Sequence, residues 1–341
     1  PENLGDAVNS EYSEYWPALS MDEQMLMFTV MLPVMAQTGE DPLNLQEDFF
    51  YSISSEGVWD PRINAGSPLN TPDNEGAQSL TADGRTLWFT ACNRRSGQGM
   101  CDLYYSTWEG DRWSIPRNAG NILNSRYSEK HPAISADGRI LYFTSNRPGG
   151  KGSYDIWMSV KSGETWSAPV NLGDSVNTSG LEQSPFIHPD QQSLYFSSTG
   201  WPGMGQGDLF LSRRTGPEWT SPENLGYPIN TYNDEIGLSL NARGNRAYFA
   251  SNRGEGTDTD IYVFEMPEEL RPVPVSYMEG RVYDSRTMRG LKAVLQLIDL
   301  ETEEMVMELE SHAGEGDYLI SLPGNRDYAL NVSANGYLFY S

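Results

Sequence analysis

Tryptophan recurs through this chain at a fixed interval, and that interval limits the folds open to it more than any other feature. Trp59, Trp113, Trp166 and Trp219 stand 53 or 54 residues apart. Each is followed by a proline and then Asn-x-Gly: Pro61/Asn64/Gly66, Pro116/Asn118/Gly120, Pro169/Asn171/Gly173 and Pro222/Asn224/Gly226. The chain opens with Pro-Glu-Asn-Leu-Gly, a fifth copy without its Trp. A repeat of this kind is one supersecondary unit that must stack on its neighbours to bury a core.

The interior of each unit also repeats. An Asn precedes a Glu by five residues in Asn9/Glu14, Asn70/Glu75, Asn124/Glu129, Asn177/Glu182 and Asn230/Glu235. A short apolar strand follows, then a turn such as Asp83-Gly84 or Asp137-Gly138, then a second strand such as ILYFTS or SLYFSS. Asp-Gly between two apolar runs is a strong hairpin signal. A Gly-rich loop comes next, and then an Asp before two apolar residues: Asp48, Asp102, Asp155, Asp208 and Asp260. The Trp-Pro-Asn-x-Gly stretch supplies a fourth strand. Four short strands every 53 residues is the spacing of a propeller blade. The fold class predicted is all-β: a five-bladed, WD40-like β-propeller over residues 1–272. The N-terminal strand would complete the last blade, leaving no open edge.

The pattern changes after Arg271-Pro272-Val273-Pro274, which reads as a stiff linker. Residues 273–341 alternate as strands and predict a small, transthyretin-like β-sandwich, truncated at its end. The chain has no signal peptide at Pro1 and reads as a mature or excised piece. Its longest apolar run, Met25 to Met35, contains Pro33 and is too short to cross a bilayer, so it reads as a buried strand plus a loop. The net charge of −24 argues against nucleic acid and against electrostatic docking on anionic lipid.

The units DGRILYFTSNRPGGKGSYDIW and DGRTLWFTACNRRSGQGMCDLYY resemble the PD40, or TolB-like, propeller repeat. The tail from VSYMEGRVYDS to ANGY resembles a carboxypeptidase regulatory-like domain. The order of the two resembles a multidomain, outer-membrane-associated family of Bacteroidetes with an OmpA-type peptidoglycan-binding domain, to which a component of the type IX secretion system belongs. The resemblance implies a non-catalytic scaffold in the periplasm. Its partners would be proteins of the secretion machinery or outer membrane, with peptidoglycan reached only through a domain beyond this chain, and with no direct membrane insertion.

Several residues invite chemistry. Glu14, Glu75, Glu129, Glu182 and Glu235 would form a ring of carboxylates at one mouth of the channel, attractive to a cation or basic peptide. The alternative is that each is held internally, with Arg94, Arg147 and Arg253 as partners. The Gly-rich loops SGQGM, PGGKGSY and GMGQGD join strands rather than opening a helix, so they read as hairpin turns and not as phosphate cradles. Cys92 and Cys101 flank one such loop, in places that align with Ser145 and Tyr154. They are either a cross-hairpin disulfide or two free thiols, and the periplasm implied by the resemblance favours the disulfide. His131, His188 and His312 have no ligand spacing, and Asp258 and Asp260 of GTDTD read as a loop. No catalytic, cofactor or metal residue is assigned. The competing reading is a glycan-active enzyme such as a sialidase, suggested by the turn Ser135-Ala-Asp137-Gly138. A TolB-like adaptor unrelated to secretion is a further alternative.

Overall fold

The computed structural model describes residues 1–34, 44–55, 57–254, 256, 258–324 and 326–337. They are all-β apart from one 3-10 turn at Glu268–Leu270. Residues 1–265 build five antiparallel sheets of like topology. Sheet I holds Ser13–Leu19, Met25–Val34, Asn44–Ser55 and Ile63–Asn64, and sheet II holds Asn74–Leu80, Thr86–Cys92, Cys101–Thr107 and Arg117–Asn118. Sheet III holds Glu129–Ile134, Ile140–Ser145, Asp155–Ser162 and Val170–Asn171. Sheet IV holds Glu182–Ile187, Ser193–Ser198, Asp208–Thr215 and Glu223–Asn224. Sheet V holds Glu235–Leu240, Arg246–Ser251 and Asp260–Glu265, and its fourth strand is Glu2–Asn3 from the other end of the chain.

The first strand of each sheet packs against the first strands of both neighbours, and that of sheet V packs against that of sheet I. The sheets therefore close a propeller-like ring, and a core fills each of the five interfaces. Leu141 and Phe143 enter the core shared with sheet II, whereas Tyr142 between them enters the core shared with sheet IV. Both faces of a second strand are covered, which is why its sequence is continuously apolar rather than alternating. The interface between sheets V and I is filled in the same way by Phe28, Tyr248 and Ile261.

The repeated Trp is not part of the fourth strand. It sits in a short hairpin that extends the third strand, with Val58–Trp59 on Ser54–Ser55 and Thr165–Trp166 on Lys161–Ser162. The proline that follows cannot donate to a ladder, and the chain then re-enters the sheet for two residues around the Asn. Each Trp caps the outer end of the preceding interface: Trp59 packs edge-on to Tyr248, Trp166 to Trp88 and Trp219 to Tyr142. Sheet V has no such Trp. Its place against Tyr195 is taken by the 3-10 turn, where Leu270 is buried and its carbonyl accepts the Tyr195 hydroxyl at 2.7 Å. The missing repeat residue is thus replaced by the exit toward the second unit.

That unit is a pair of small antiparallel sheets. Val275–Arg281 pairs with Asp317–Pro323, and Val294–Asp299 lies between Met305–Glu310 and Tyr328–Ser333. Leu295, Leu297, Met307 and Ile320 form its core. It stands against the end of the ring where the Asp-Gly turns lie. Val275 donates its N–H to Ala242, and Arg85 pairs with Glu315 at 3.0 Å and with Asp317. Arg139 pairs with Glu308 at 3.2 Å. The apolar run from Met25 is strand through Val34, and Met35 lies outside the described residues. Pro33 pairs only with Leu45, beyond the end of the first strand, so its missing N–H costs no ladder bond.

Candidate functional site

The five repeated glutamates are all fully buried, so they present no ring of free charge to a channel mouth. Each carboxylate accepts two bonds from the residue four positions earlier. Ser125 gives Glu129 its N–H and its hydroxyl, both at 2.8 Å, and Thr178 gives Glu182 the same pair at 2.9 and 2.6 Å. Arg94, Arg147 and Arg253 reach Glu75, Glu129 and Glu235 at 2.6, 2.9 and 3.0 Å. Ser145, Ser198 and Ser251 add hydroxyl bonds to Glu129, Glu182 and Glu235. In sheets II to V these groups tie the start of the inner strand to the second strand or the turn that follows it, which is a structural task.

Two of the five lack an arginine. The place of Arg147 is filled by Gly200 in sheet IV and Leu32 in sheet I, and the place of Ser145 by Val30 in sheet I. Among the described residues Glu14 accepts bonds only from the N–H and hydroxyl of Ser10, with the Arg62 charge acting from farther off. Burial pushes its carboxyl up to about 7, only partly opposed by those bonds. Burial also raises Glu75 and Glu182.

The preceding asparagine does a second structural job. Asn124 takes the Leu103 N–H at 2.8 Å, returns a bond to the Leu103 carbonyl and holds Asn118 at 2.9 Å. Asn70, Asn177 and Asn230 repeat this, and Asn9 does it to Ile261 across the ring closure. In sheets II to IV the Gly-rich loops fold over the following Asp. Asp155 accepts the N–H groups of Lys151 and Gly152 at 2.6 and 2.8 Å. A Cβ on Gly150 would come within 2.8 Å of that carboxylate. The donors of this loop are therefore occupied from within the protein, as expected of a turn.

Cys92 and Cys101 face each other across the hairpin and are joined as a disulfide. Their alignment needs one correction. Ala91, not Cys92, lies opposite Glu75 as Ser145 lies opposite Glu129, so Cys92 matches Asn146. Asn146 caps the Ser128 N–H with its side chain, and in sheet II a covalent link stands at that point instead. The extra residue in sheet II, with Asn93 at φ 60°, is what displaces the register.

Beyond each glutamate the inner strands share a feature that the repeat does not announce. The second residue after Glu has a left-handed backbone and sits in a β-bulge in every sheet: Trp16, Ala77, His131, Ser184 and Gly237, with φ between 50° and 64°. One backbone position thus carries five different residues around the axis. The Trp16 indole lies 4.9 Å from the His131 ring and donates to Ser184 Oγ at 3.0 Å. Space for it depends on Gly76 and Gly237, where a Cβ would come within 3.0 and 2.8 Å of the indole. Burial, with Lys130 next to it, pushes His131 down to about 3 and keeps it neutral. Its Nδ1 faces the Ser184 N–H at 3.3 Å.

Trp16, His131 and Ser184 line a funnel of about 100 Å³ that runs along the axis toward the Asp-Gly turns. Pro17, Pro132, Pro185 and Leu238 line its wall, and Met21, Ala82, Ala136, Pro189 and Ala242 lie at its rim. Among its described lining residues there is no Asp, Glu, Lys or Arg. Met21 and Ala242 also line a cleft with Pro274, Val275 and Tyr277, so the second unit stands beside the mouth.

The other candidates lie elsewhere. His188 is fully buried and bonds Asn241 O at 3.2 Å, and His312 belongs to the second unit. Ser135 and Asp137 close their own turn at 2.5 Å. In GTDTD, Asp260 takes the Asn3 amide at 2.8 Å to close sheet V, and Thr257 lies outside the described residues. No three His, Cys, Asp or Glu side chains of the described residues gather as a metal site.

No family model matches the chain, and no curated protein does. Among solved structures it is similar to a putative TolB from Agrobacterium tumefaciens, at 14% identity over 94% of this chain and 95% of that one, with a TM-score of 0.45. It is similar to the exo-beta-1,3-galactanase 1,3Gal43A from Clostridium thermocellum, at 12% identity over 98% and 80%, with a TM-score of 0.49. It is also similar to a Mycobacterium tuberculosis puromycin-hydrolyzing peptidase, at 16% identity over 85% of this chain, with a TM-score of 0.42; the chain spans 44% of that peptidase. These are likenesses of fold alone.

Proposed function

We propose that the chain is a non-catalytic scaffold, a five-bladed propeller with a regulatory-like sandwich, that docks protein partners in the bacterial envelope. The observation that carries this reading is the axial funnel, whose described lining has no carboxylate and no cation. Most glycoside hydrolases use two carboxyl groups flanking the scissile bond, and the repeated carboxylates of this ring are all internal. That weighs against a two-carboxylate glycosidase. The end opposite the sandwich supports docking: its loops expose Met100, Met204 and Tyr232, residue types enriched in protein interfaces. The periplasmic, outer-membrane-associated setting and the link to type IX secretion rest on the resemblance of the repeat and tail sequences. Capture from an envelope extract by the immobilised chain tests the reading. Enrichment of defined envelope proteins, lost in a Met204→Asp/Tyr232→Asp variant, is expected. Failure to enrich any envelope protein overturns it.

A further inference from the structure

The asparagine and glutamate that hold this ring together repeat in every sheet, so a position that differs in all five has been released from the common task. The left-handed position after each glutamate is such a place, and the funnel stands on it. What remains unused there is all of one kind. His131 Nδ1 accepts the Ser184 N–H, so the proton of the neutral ring is on Nε2. That nitrogen has no partner among the described residues, and His131 is only 9% exposed. Ser184 Oγ accepts from the Trp16 indole, Ser79 Oγ from the Ile134 N–H at 3.1 Å, and Ser239 Oγ from the Leu19 N–H at 3.2 Å. None of these three hydroxyls donates to an acceptor among the described residues. The funnel therefore offers four free donors, no spare charged group and an apolar wall.

We propose that the funnel is a binding site for an uncharged group that brings a carbonyl oxygen on a small apolar body. The oxygen would take His131 Nε2–H and a serine hydroxyl, and the body would lie against the proline-rich wall. An ammonium would be desolvated there with no carboxylate in the described lining to offset the cost. A carboxylate would be desolvated without a cation to offset the cost. A volume of about 100 Å³ suits roughly one five-membered ring. The inference stands on the funnel and not on protein docking at the opposite end.

Three probes sharing one ring separate the possibilities: cyclopentanone, cyclopentylammonium and cyclopentanecarboxylate. Titration of the full chain would be followed by NMR of the His131 imidazole and the Trp16 indole N–H. Cyclopentanone is expected to shift both signals and to bind at least about tenfold more tightly than either ion, a ratio that about 1.4 kcal/mol supplies. His131→Phe should weaken it at least about fivefold. Ala136→Phe, which fills the rim without touching the floor, should block it, and it keeps the test interpretable should His131→Phe fold poorly. Equal binding of all three probes, preference for the carboxylate, no shift at either ring, or undiminished binding to Ala136→Phe would each overturn the proposal.

Discussion

Glu14→Gln should stabilise this protein, although it removes a residue repeated in all five sheets. The reason is the missing arginine. Glu14 is fully buried, receives only two bonds, both from Ser10, among the described residues, and is held at about 7 by desolvation. A carboxyl that ionises near 4.5 in the unfolded chain thus keeps its proton to higher pH in the folded one. Its contribution to stability is whole below about pH 4.5 and is lost as pH rises toward 7. By linkage the loss reaches about 3 kcal/mol above pH 7. Glutamine keeps the shape and one acceptor and carries no charge. Urea unfolding followed by circular dichroism should show the variant gaining about 2–3 kcal/mol more at pH 8 than at pH 5. The same change at Glu129 should act in the opposite sense, because it strands the Arg147 guanidinium, which is stacked over Phe143 and Trp157. A loss of about 3 kcal/mol is expected there. The reasoning is refuted if both variants lose stability equally, or if the effect of Glu14→Gln is independent of pH.

Other consequences follow from the same contacts. Arg147→Met should destabilise by about 3–5 kcal/mol by unpairing a buried carboxylate, and the double variant with Glu129→Gln should recover most of it in a thermodynamic cycle. Asn124→Ala strands the Leu103 N–H and removes one of the two bonds to its carbonyl, which keeps the Ala119 N–H, and should cost about 2–3 kcal/mol in urea unfolding. Replacing Cys92 and Cys101 by serine opens a short loop and should cost about 2–3 kcal/mol; alkylation of both thiols in unreduced protein would show that the bond is absent. Removing Arg85 and Arg139 together should raise proteolysis between the ring and the sandwich, more at low salt, where those pairs are strongest.

The ring was legible because its parts repeat. Trp, Pro, Asn and Gly fall at one interval, and Asn-x-Gly placed the fourth strands although the Trp itself belongs to a side hairpin. The Asn and Glu positions showed that something was fixed at the start of each inner strand. Spacing alone could not say whether those carboxylates faced a channel or the interior. The recurring Ser145, Ser198 and Ser251 were the overlooked signal, since hydroxyls opposite three of the five Glu imply an internal bond. The funnel was hidden for a different reason. Trp16, Ala77, His131, Ser184 and Gly237 share a backbone conformation and no chemistry, and a left-handed bulge leaves no mark on residues such as Trp or His. Counting two residues past each Glu would have aligned them. The cysteine register was misjudged by one because sheet II carries an extra residue at Asn93, which only strand pairing reveals.

The ring is proposed here to bind and not to catalyse. Turnover by the purified chain bears on it most directly, measured between pH 5 and 8 on aryl glycosides and a sialoside. No hydrolysis above the buffer rate is expected. Saturable turnover that disappears in Ala136→Phe would contradict it, because it would place a reaction in the funnel itself.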